Sequence, residues 1–243
     1  MERWEKELSR YSERLAKIEN WSPDLSAFVV KLPEIPLRYI PSPKGLVALN
    51  LSLYALACIR VANQSRAAFL KLWEKNLFAV IALPARFLFE LWGSSHYALK
   101  ILLQMHESGD VNKAMDRSKR LLLGARSEVF LPWGPPVDIK SVHVMDFVRS
   151  LTDTYPQAEN TYDFLCESCH PSYLRLTSWS LMSPPVHNWT NERFREEAHT
   201  LIEHTLQAVE QALEGIYSDV TDILKASLPY IEADKSRNTA SGH

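Results

Sequence analysis

The chain has 243 residues, of which 46% are apolar and 23% are charged, a composition typical of a soluble globular protein. With only 7 glycines and 14 prolines, it has few of the turn-forming residues that a many-stranded sheet requires. The 27 basic and 29 acidic residues give a net charge of −2, which excludes a general attraction to nucleic acid or anionic lipid.

Localisation is predicted from the chain start and from the cysteines. The first residues, Met-Glu-Arg-Trp-Glu-Lys, do not show the apolar core of an export signal. Three cysteines, Cys58, Cys166 and Cys169, then indicate reduced thiols in the cytoplasm rather than a disulfide framework.

Residues 1–43 predict an N-terminal helix followed by an extended arm. Apolar residues recur at helical spacing within residues 2–19, at Trp4, Leu8, Tyr11, Leu15 and Ile18. Five prolines between residues 20 and 43 then forbid a continuous helix. We therefore expect an arm laid over the body of the protein.

Two long helices are predicted next, over residues 44–74 and 76–107. The apolar run in the first helix contains Asn50, Ser52 and Arg60 and falls short of a membrane span. The second helix is apolar on every side from residue 77 to 92 except at two charged positions, so it should be central. Pro84 should kink it.

Arg86 and Glu90 are those two charges, and their spacing of four residues places them on one helix face. A charged pair in apolar surroundings needs partners, because removing charges from water is costly. Two interpretations remain open: a structural ion pair that fixes helix register, and a ligand or catalytic site. His96 ranks below this pair.

Three shorter helices are predicted in the middle of the chain. Asp110 should cap a helix over residues 111–123. Basic side chains cluster on this helix, and they form either a solvated face or the one place in the chain that favours binding of phosphate or RNA. That cluster comprises Lys113, Arg117, Lys119 and Arg120. A loop over residues 130–136 should precede two helices over residues 144–151 and 160–169.

The helix over residues 160–169 should stop near Cys169, because Pro171 disfavours helical geometry at His170. His170 would then lie beside the last carbonyls of the helix, with Glu167 one turn back to orient it. This arrangement is typical of an acid/base site and equally of a simple helix stop.

Cys166-Glu-Ser-Cys169-His170 matches the haem c attachment pattern, but covalent attachment requires an export route that this N-terminus lacks. The same residues provide three of the four ligands of a structural zinc site, and no second Cys-x-x-Cys lies nearby. We therefore expect no cofactor and no bound metal.

Arg193 and His199 have the arginine-to-histidine spacing used by HEPN ribonucleases, but Phe194 replaces the polar residue usual after the arginine. Glu196, His199 and Glu203 share one helix face, yet a carboxylate-bridged metal pair needs a second such cluster. The predicted last helix should end at Pro229, which makes residues 44–229 a helical bundle and residues 230–243 a disordered tail.

The run Tyr162-x-x-Leu165-x-Glu167-x-x-His170-Pro-Ser, downstream of Arg86-x-x-x-Glu90, resembles a group of uncharacterised bacterial HEPN-like helical proteins. The similarity covers residues 44–180. It implies an all-α multi-helix bundle with long central and C-terminal helices. Ribonuclease activity belongs to other HEPN branches.

We hypothesise that Arg86, Glu90, Glu167 and His170 meet in one polar cluster inside the bundle. The first functional interpretation is a binding or regulatory module for a nucleotide or protein partner. The second is a metal-independent RNA-cleaving enzyme of a defence or toxin system, with His170 or His199 as proton-transfer group. The third is a scaffold. The many apolar helix faces are compatible with a homodimer, and no membrane partner is expected.

Overall fold

The computed structural model of the chain describes residues 8–26, 41–123, 140–170 and 192–240. Within these residues it contains seven α-helices and no β-strand, which confirms the predicted all-α bundle with long helices. The α-helices are α1 (Ser12–Asn20), α2 (Pro43–Glu74), α3 (Ala82–Ser108), α4 (Val111–Leu123), α5 (Val144–Ser150), α6 (Ala158–Cys169) and α7 (Glu192–Ala240). The 3₁₀ turns Phe78–Val80 and Leu151–Asp153 precede α3 and follow α5.

The described residues form two compact units, each assembled from several stretches of chain. The first unit takes residues 8–22, 60–92, 152–170 and 192–215. The second takes residues 23–26, 41–59, 93–123, 140–151 and 216–240. The divisions between units fall inside α2, α3 and α7, whereas the sequence analysis placed boundaries at residues 43 and 229. Residues 1–7 and 27–40 of the predicted helix and arm lie outside the described residues, as does the predicted loop 130–136.

The core of the first unit is rich in aromatic rings. Phe69, Phe78 and Phe89 are fully buried, and the ring of Trp73 packs edge-on against Phe78 with centroids 5.2 Å apart. Gly215 lies inside the continuous helix α7. A Cβ atom at this position would lie 2.2 Å from the Trp92 ring, so the glycine makes room for the indole.

The core of the second unit joins the first half of α2 to α3, α5 and the end of α7. Its buried apolar side chains include Val47, Leu51, Ile101, Leu102, Met105, Val148, Leu151, Ile223 and Ile231. Gly93 allows α3 and α5 to approach closely, because a Cβ atom there would lie 2.8 Å from the carbonyl carbon and oxygen of Phe147. The hydroxyl of Ser150 donates a hydrogen bond to the Gly93 carbonyl at 3.2 Å.

Both prolines that were expected to disturb a helix have a different role. The chain turns at Asn76, with φ of 55°, and α3 begins only at Ala82. Pro84 therefore lies in the first helical turn, where its missing N–H group has no intrahelical acceptor to lose, and it does not kink a helix interior.

Pro229 does not end α7, which continues to Ala240. The reason is tertiary packing: Ile231 is fully buried, and the buried carboxylate of Asp234 accepts hydrogen bonds from the backbone N–H and hydroxyl of Ser42, at 2.8 and 3.0 Å. These contacts offset the intrahelical bond that proline cannot make. Residues 230–240 are thus helical rather than the disordered tail that was predicted.

α2 contains an 18-residue window with mean hydropathy 1.7, which makes it long and apolar enough to cross a membrane by length and composition. This differs from the expectation that the apolar run falls short of a membrane span. Within the protein, 56% of the window is buried, as in the core helix of a folded domain.

We expect Gly93→Ala to destabilise the protein by about 1–2 kcal/mol. The added methyl group must displace the backbone of Phe147, and this overpacking outweighs the gain of about 1 kcal/mol in helix propensity. Urea unfolding followed by circular dichroism measures the change. Gln64→Ala, at an exposed helical position, is the control and should change stability by less than about 0.5 kcal/mol. Equal stability of the two variants would contradict the close approach at Gly93.

Candidate functional site

The predicted charged pair forms, and a tyrosine completes it. In the first unit, Arg86 Nε donates to Glu90 Oε1 at 2.9 Å. From α6, the Tyr162 hydroxyl donates to the same Glu90 oxygen at 2.8 Å and accepts from Arg86 Nη2 at 3.2 Å. The guanidinium carbon also lies 5.5 Å from the centroid of the Tyr162 ring. We call these three residues the Arg86 cluster.

The polar groups of the Arg86 cluster form hydrogen bonds with one another, and the cluster is only partly buried. The side chains of Arg86 and Glu90 are 38% and 26% exposed, whereas Tyr162 is buried. Burial raises the pKa of Tyr162, and its hydrogen bond to Glu90 raises the pKa further. Burial by itself lowers the pKa of Arg86, but the bonds to Glu90 and Tyr162 outweigh it and raise the pKa. Both groups therefore keep their protons at neutral pH, and neither exchanges a proton easily.

Glu167 and His170 do not join this cluster, which corrects the predicted four-residue site. Both side chains are exposed, and within the described residues no hydrogen bond or ion pair links either of them to Arg86 or Glu90. Five residues of helix separate Glu167 from Tyr162, a rotation of about 140° that turns Glu167 away from α3. The helix does end at Cys169, as predicted, and His170 is its extended C-cap.

Cys166 and Cys169 lie on the same side of α6 as Tyr162. Both cysteines are half-buried. Burial raises the pKa of Cys169, so its thiol stays protonated and is a poor ligand and nucleophile. No group of three metal-ligating side chains occurs in the described part of the chain.

His199 has a structural contact rather than an open catalytic position. Its Nδ1 atom lies 2.7 Å from the hydroxyl of Tyr11, which holds the start of α1 against α7 in the first unit. Arg14 of α1 reinforces this contact through ion pairs with Glu210 at 2.7 Å and Glu203 at 3.9 Å. Glu196 is exposed, and the side chain of Arg193 lies outside the described residues.

The basic cluster of α4 is partly used within the second unit. Asp110 caps α4 as predicted, accepting from Lys113 N at 3.0 Å. Arg117 donates to the hydroxyl of Tyr97 and to Gln104 Oε1, and Arg120 donates to the Lys140 carbonyl. Two of the four basic side chains therefore fix α4 in place.

A second polar cluster, which the sequence analysis underrated, lies in the core of the second unit. His96 Nδ1 is 2.9 Å from Asp219 Oδ1, and Ser95 donates to the other Asp219 oxygen at 3.4 Å. All three residues are buried. We call them the His96 cluster. In the sequence, the polar run Ser94-Ser95-His96 inside an apolar helix indicates this cluster. The partner of His96 could not be identified in this way, because Asp219 is 123 residues away.

Among the described residues, no activated nucleophile lies beside the His96 cluster. Cys58 of α2 is the neighbouring thiol, and burial raises its pKa to about 12 despite hydrogen bonds to Tyr54 and Ser94. Burial likewise raises the pKa of Tyr54. Since a thiolate is the reactive form, a cysteine–histidine mechanism has no support here.

Comparisons of the chain with known protein families, with curated proteins and with solved structures find no match. The contacts and surfaces described above therefore carry the functional interpretation.

We expect Tyr162→Phe to lower the free energy of unfolding by about 1–2 kcal/mol. Loss of the hydroxyl removes a hydrogen-bond partner from both charged groups, although their partial exposure lets water replace some of it. Chemical denaturation measures the loss. Tyr217→Phe, at a side chain that is 37% exposed, is the matched control. Equal stability of the two variants would contradict a bridging role for Tyr162.

Asp219 should make stability fall as the pH rises above about 4. Burial raises the pKa of Asp219 despite its bonds to His96 and Ser95, so the folded state binds this proton more tightly than the unfolded state. The free energy of unfolding must then decrease as the pH rises from the ordinary carboxyl pKa through the raised one.

In Asp219→Asn the decrease in the free energy of unfolding that Asp219 causes should be missing. The amide oxygen can still accept a hydrogen bond from His96. Urea unfolding between pH 4 and pH 7 should therefore show a smaller decrease in stability for Asp219→Asn than for the wild type. Asp116→Asn, at an exposed position, should keep the wild-type slope. Parallel pH curves for all three proteins would contradict a raised pKa at Asp219.

Proposed function

We propose that this protein is a non-catalytic, HEPN-like binding module of the cytoplasm that acts as a homodimer. The observation that carries this proposal is an exposed row of large apolar side chains in the first unit. We call it the apolar stripe, and it consists of Leu77, Val80, Leu83 and Phe87, which are 48%, 36%, 53% and 46% exposed. Four exposed apolar side chains of this size within eleven consecutive residues are more than the scattered single residues of an ordinary surface and suggest an interaction surface.

The polar groups beside the stripe favour a second copy of the chain as the partner. Leu83 and Phe87 are one turn apart on α3. Glu90 lies two turns after Leu83, on nearly the same face of the helix. In a two-fold interface each surface meets its own copy, and the Arg86 cluster, whose charges are already paired within one protomer, brings no unpaired charge to that interface. The net charge of −2 gives little repulsion between copies.

The residues that the structure describes contain no poised proton-transfer group, and this favours binding over catalysis. Within the described residues, the Arg86 cluster satisfies its own charges, and the His96 cluster is buried beside a protonated thiol. His170 is exposed and apart from both charged groups of α3. The RNA-cleaving alternative has no comparable observation in its favour.

Leu83→Glu combined with Phe87→Glu should convert a dimer into a monomer. The wild type at micromolar concentration should have twice the chain mass of 27.9 kDa in sedimentation equilibrium, and the variant should have the single-chain mass. Both changes introduce a carboxylate that a paired apolar surface would have to desolvate. The melting temperature should change little, because both positions are exposed.

Leu103→Glu is the matched control, since Leu103 lies on the same helix and is 43% exposed but is not part of the stripe. It should leave the dimer intact. A monomeric wild type, or equal dissociation of both variants, would contradict the proposed partner. Cleavage of total RNA by the wild type that is lost in His170→Ala would contradict the non-catalytic assignment.

A further inference from the structure

Two of the three cysteines of the chain lie one helical turn apart at the end of α6. Cys166 and Cys169 are free and half-buried, and Cys169 is the last residue of the helix. The next residue, His170, is already extended. We call Cys166 and Cys169 the thiol pair. This pair shares no residue with the apolar stripe or with the Arg86 cluster, and it does not require the proposed dimer.

The spacing of the thiol pair suits a disulfide. Three residues of α-helix rotate the chain by about 300° and advance it by about 4.5 Å, which gives a distance of about 5 Å between the two Cα atoms. Disulfide-bonded cysteines usually have Cα atoms about 4.4–6.8 Å apart. The Cβ atoms must still move closer together, and Cys169 can supply this movement because helix ends fray and the chain beyond it is not helical.

The electrostatic interactions of Cys169 also place the two thiols close together. Burial raises the pKa of Cys169, Arg86 opposes this effect, and Cys166 adds to it. A charge shifts the pKa of another group in this way only at short range. The two sulfur atoms are therefore neighbours on the same side of α6.

The third cysteine, Cys58, is an internal control for reactivity. Its side chain lies in the core and is only 2% exposed, and burial raises its pKa to about 12. Because the thiolate is the reactive form, Cys58 should resist oxidants that reach the thiol pair from solvent. A dissolved oxidant can therefore distinguish Cys58 from the other two cysteines.

We infer that the thiol pair is a reversible redox site, at which a hydroperoxide forms a disulfide between Cys166 and Cys169. In the first step the Cys166 sulfur attacks one oxygen of the hydroperoxide, and the O–O bond breaks. Cys166 becomes a sulfenic acid, and its proton leaves with the other oxygen as water or an alcohol. Cys166 reacts first, because the raised pKa of Cys169 leaves little thiolate there.

In the second step the Cys169 sulfur attacks the sulfur of the sulfenic acid. The S–O bond breaks, and the departing hydroxide takes the proton of Cys169 and leaves as water. The two cysteines together lose two electrons and two protons, and the hydroperoxide is reduced by the same two electrons. Closure of the disulfide fixes the last turn of α6.

A small thiol reverses the reaction by exchange. Its thiolate attacks one sulfur of the disulfide, and a second thiolate then releases the mixed disulfide, so that both cysteines become free again. In a reducing compartment such a disulfide is transient, which is typical of a sensor of oxidants rather than of a structural crosslink.

Treatment of the full chain with a small molar excess of hydrogen peroxide should remove two of its three free thiols. Intact mass spectrometry should show a single-chain mass lower by two hydrogen atoms. After alkylation and peptide mapping, Cys58 should be the only cysteine that carries the alkyl group. Dithiothreitol should restore all three thiols.

Three variants assign the two steps. Cys169→Ser should stop at the sulfenic acid of Cys166, which dimedone traps as an adduct. Cys166→Ser should react with hydrogen peroxide at least about tenfold more slowly than the wild type, because the remaining thiol of the pair is mostly protonated. Cys58→Ala is the matched control and should form the disulfide at the wild-type rate, and circular dichroism checks that each variant is folded.

Four results would contradict a redox role for the thiol pair. They are three free thiols after treatment, disulfides between chains on a non-reducing gel, conversion of Cys166 to a sulfinic acid while Cys169 stays reduced, and equal oxidation rates for Cys166→Ser and the wild type. If Cys58→Ala does not fold, the peptide map of the wild type alone decides which cysteines react.

Discussion

Ionisable groups on long apolar helices must find partners, and this requirement shapes both units of the protein. On α3, Arg86 and Glu90 are only partly withdrawn from water, so a single tyrosine hydroxyl is enough to complete their hydrogen bonds. On the same helix, His96 is buried, and α7 supplies Asp219 as its hydrogen-bond partner. Ionisable groups of both clusters therefore have hydrogen-bond partners, whether they are partly exposed or buried.

The two clusters constrain function in different ways. In the Arg86 cluster the charges neutralise one another at the protein surface, next to exposed apolar side chains, which suits recognition of another surface. In the His96 cluster every member lies inside the core, where a substrate has no access without unfolding. Neither of these two arrangements combines an accessible site with a group poised to transfer a proton, and the proposal of a binding function starts from this observation.

The sequence was most informative where local chemistry decides the outcome. The helical class, the Asp110 cap and the helix end before Pro171 follow from propensities and from the geometry of proline, which act over a few residues. The pairing of Arg86 with Glu90 follows from helical spacing alone.

Contacts between distant segments could not be read in the same way. Tyr162 looked like one apolar position among several, because nothing local shows that its hydroxyl meets a charged pair 76 residues earlier. Tertiary packing also explains two other features that local preference does not predict. They are the buried pairing of Asp219 with His96 and the continuation of the helix past Pro229. Glu167 and His170 were misplaced because ionisable residues in an otherwise apolar sequence were expected to meet, whereas both side chains are exposed.

The bonds from Ser42 to Asp234 connect residues that are 192 positions apart. On a ribosome that adds about 5–20 residues per second, the second of these residues is made roughly 10–40 s after the first. During that interval the apolar beginning of α2 has left the exit tunnel without the helix that will cover it. Newly made chains should consequently depend on holdase chaperones for longer than the size of the protein alone would suggest.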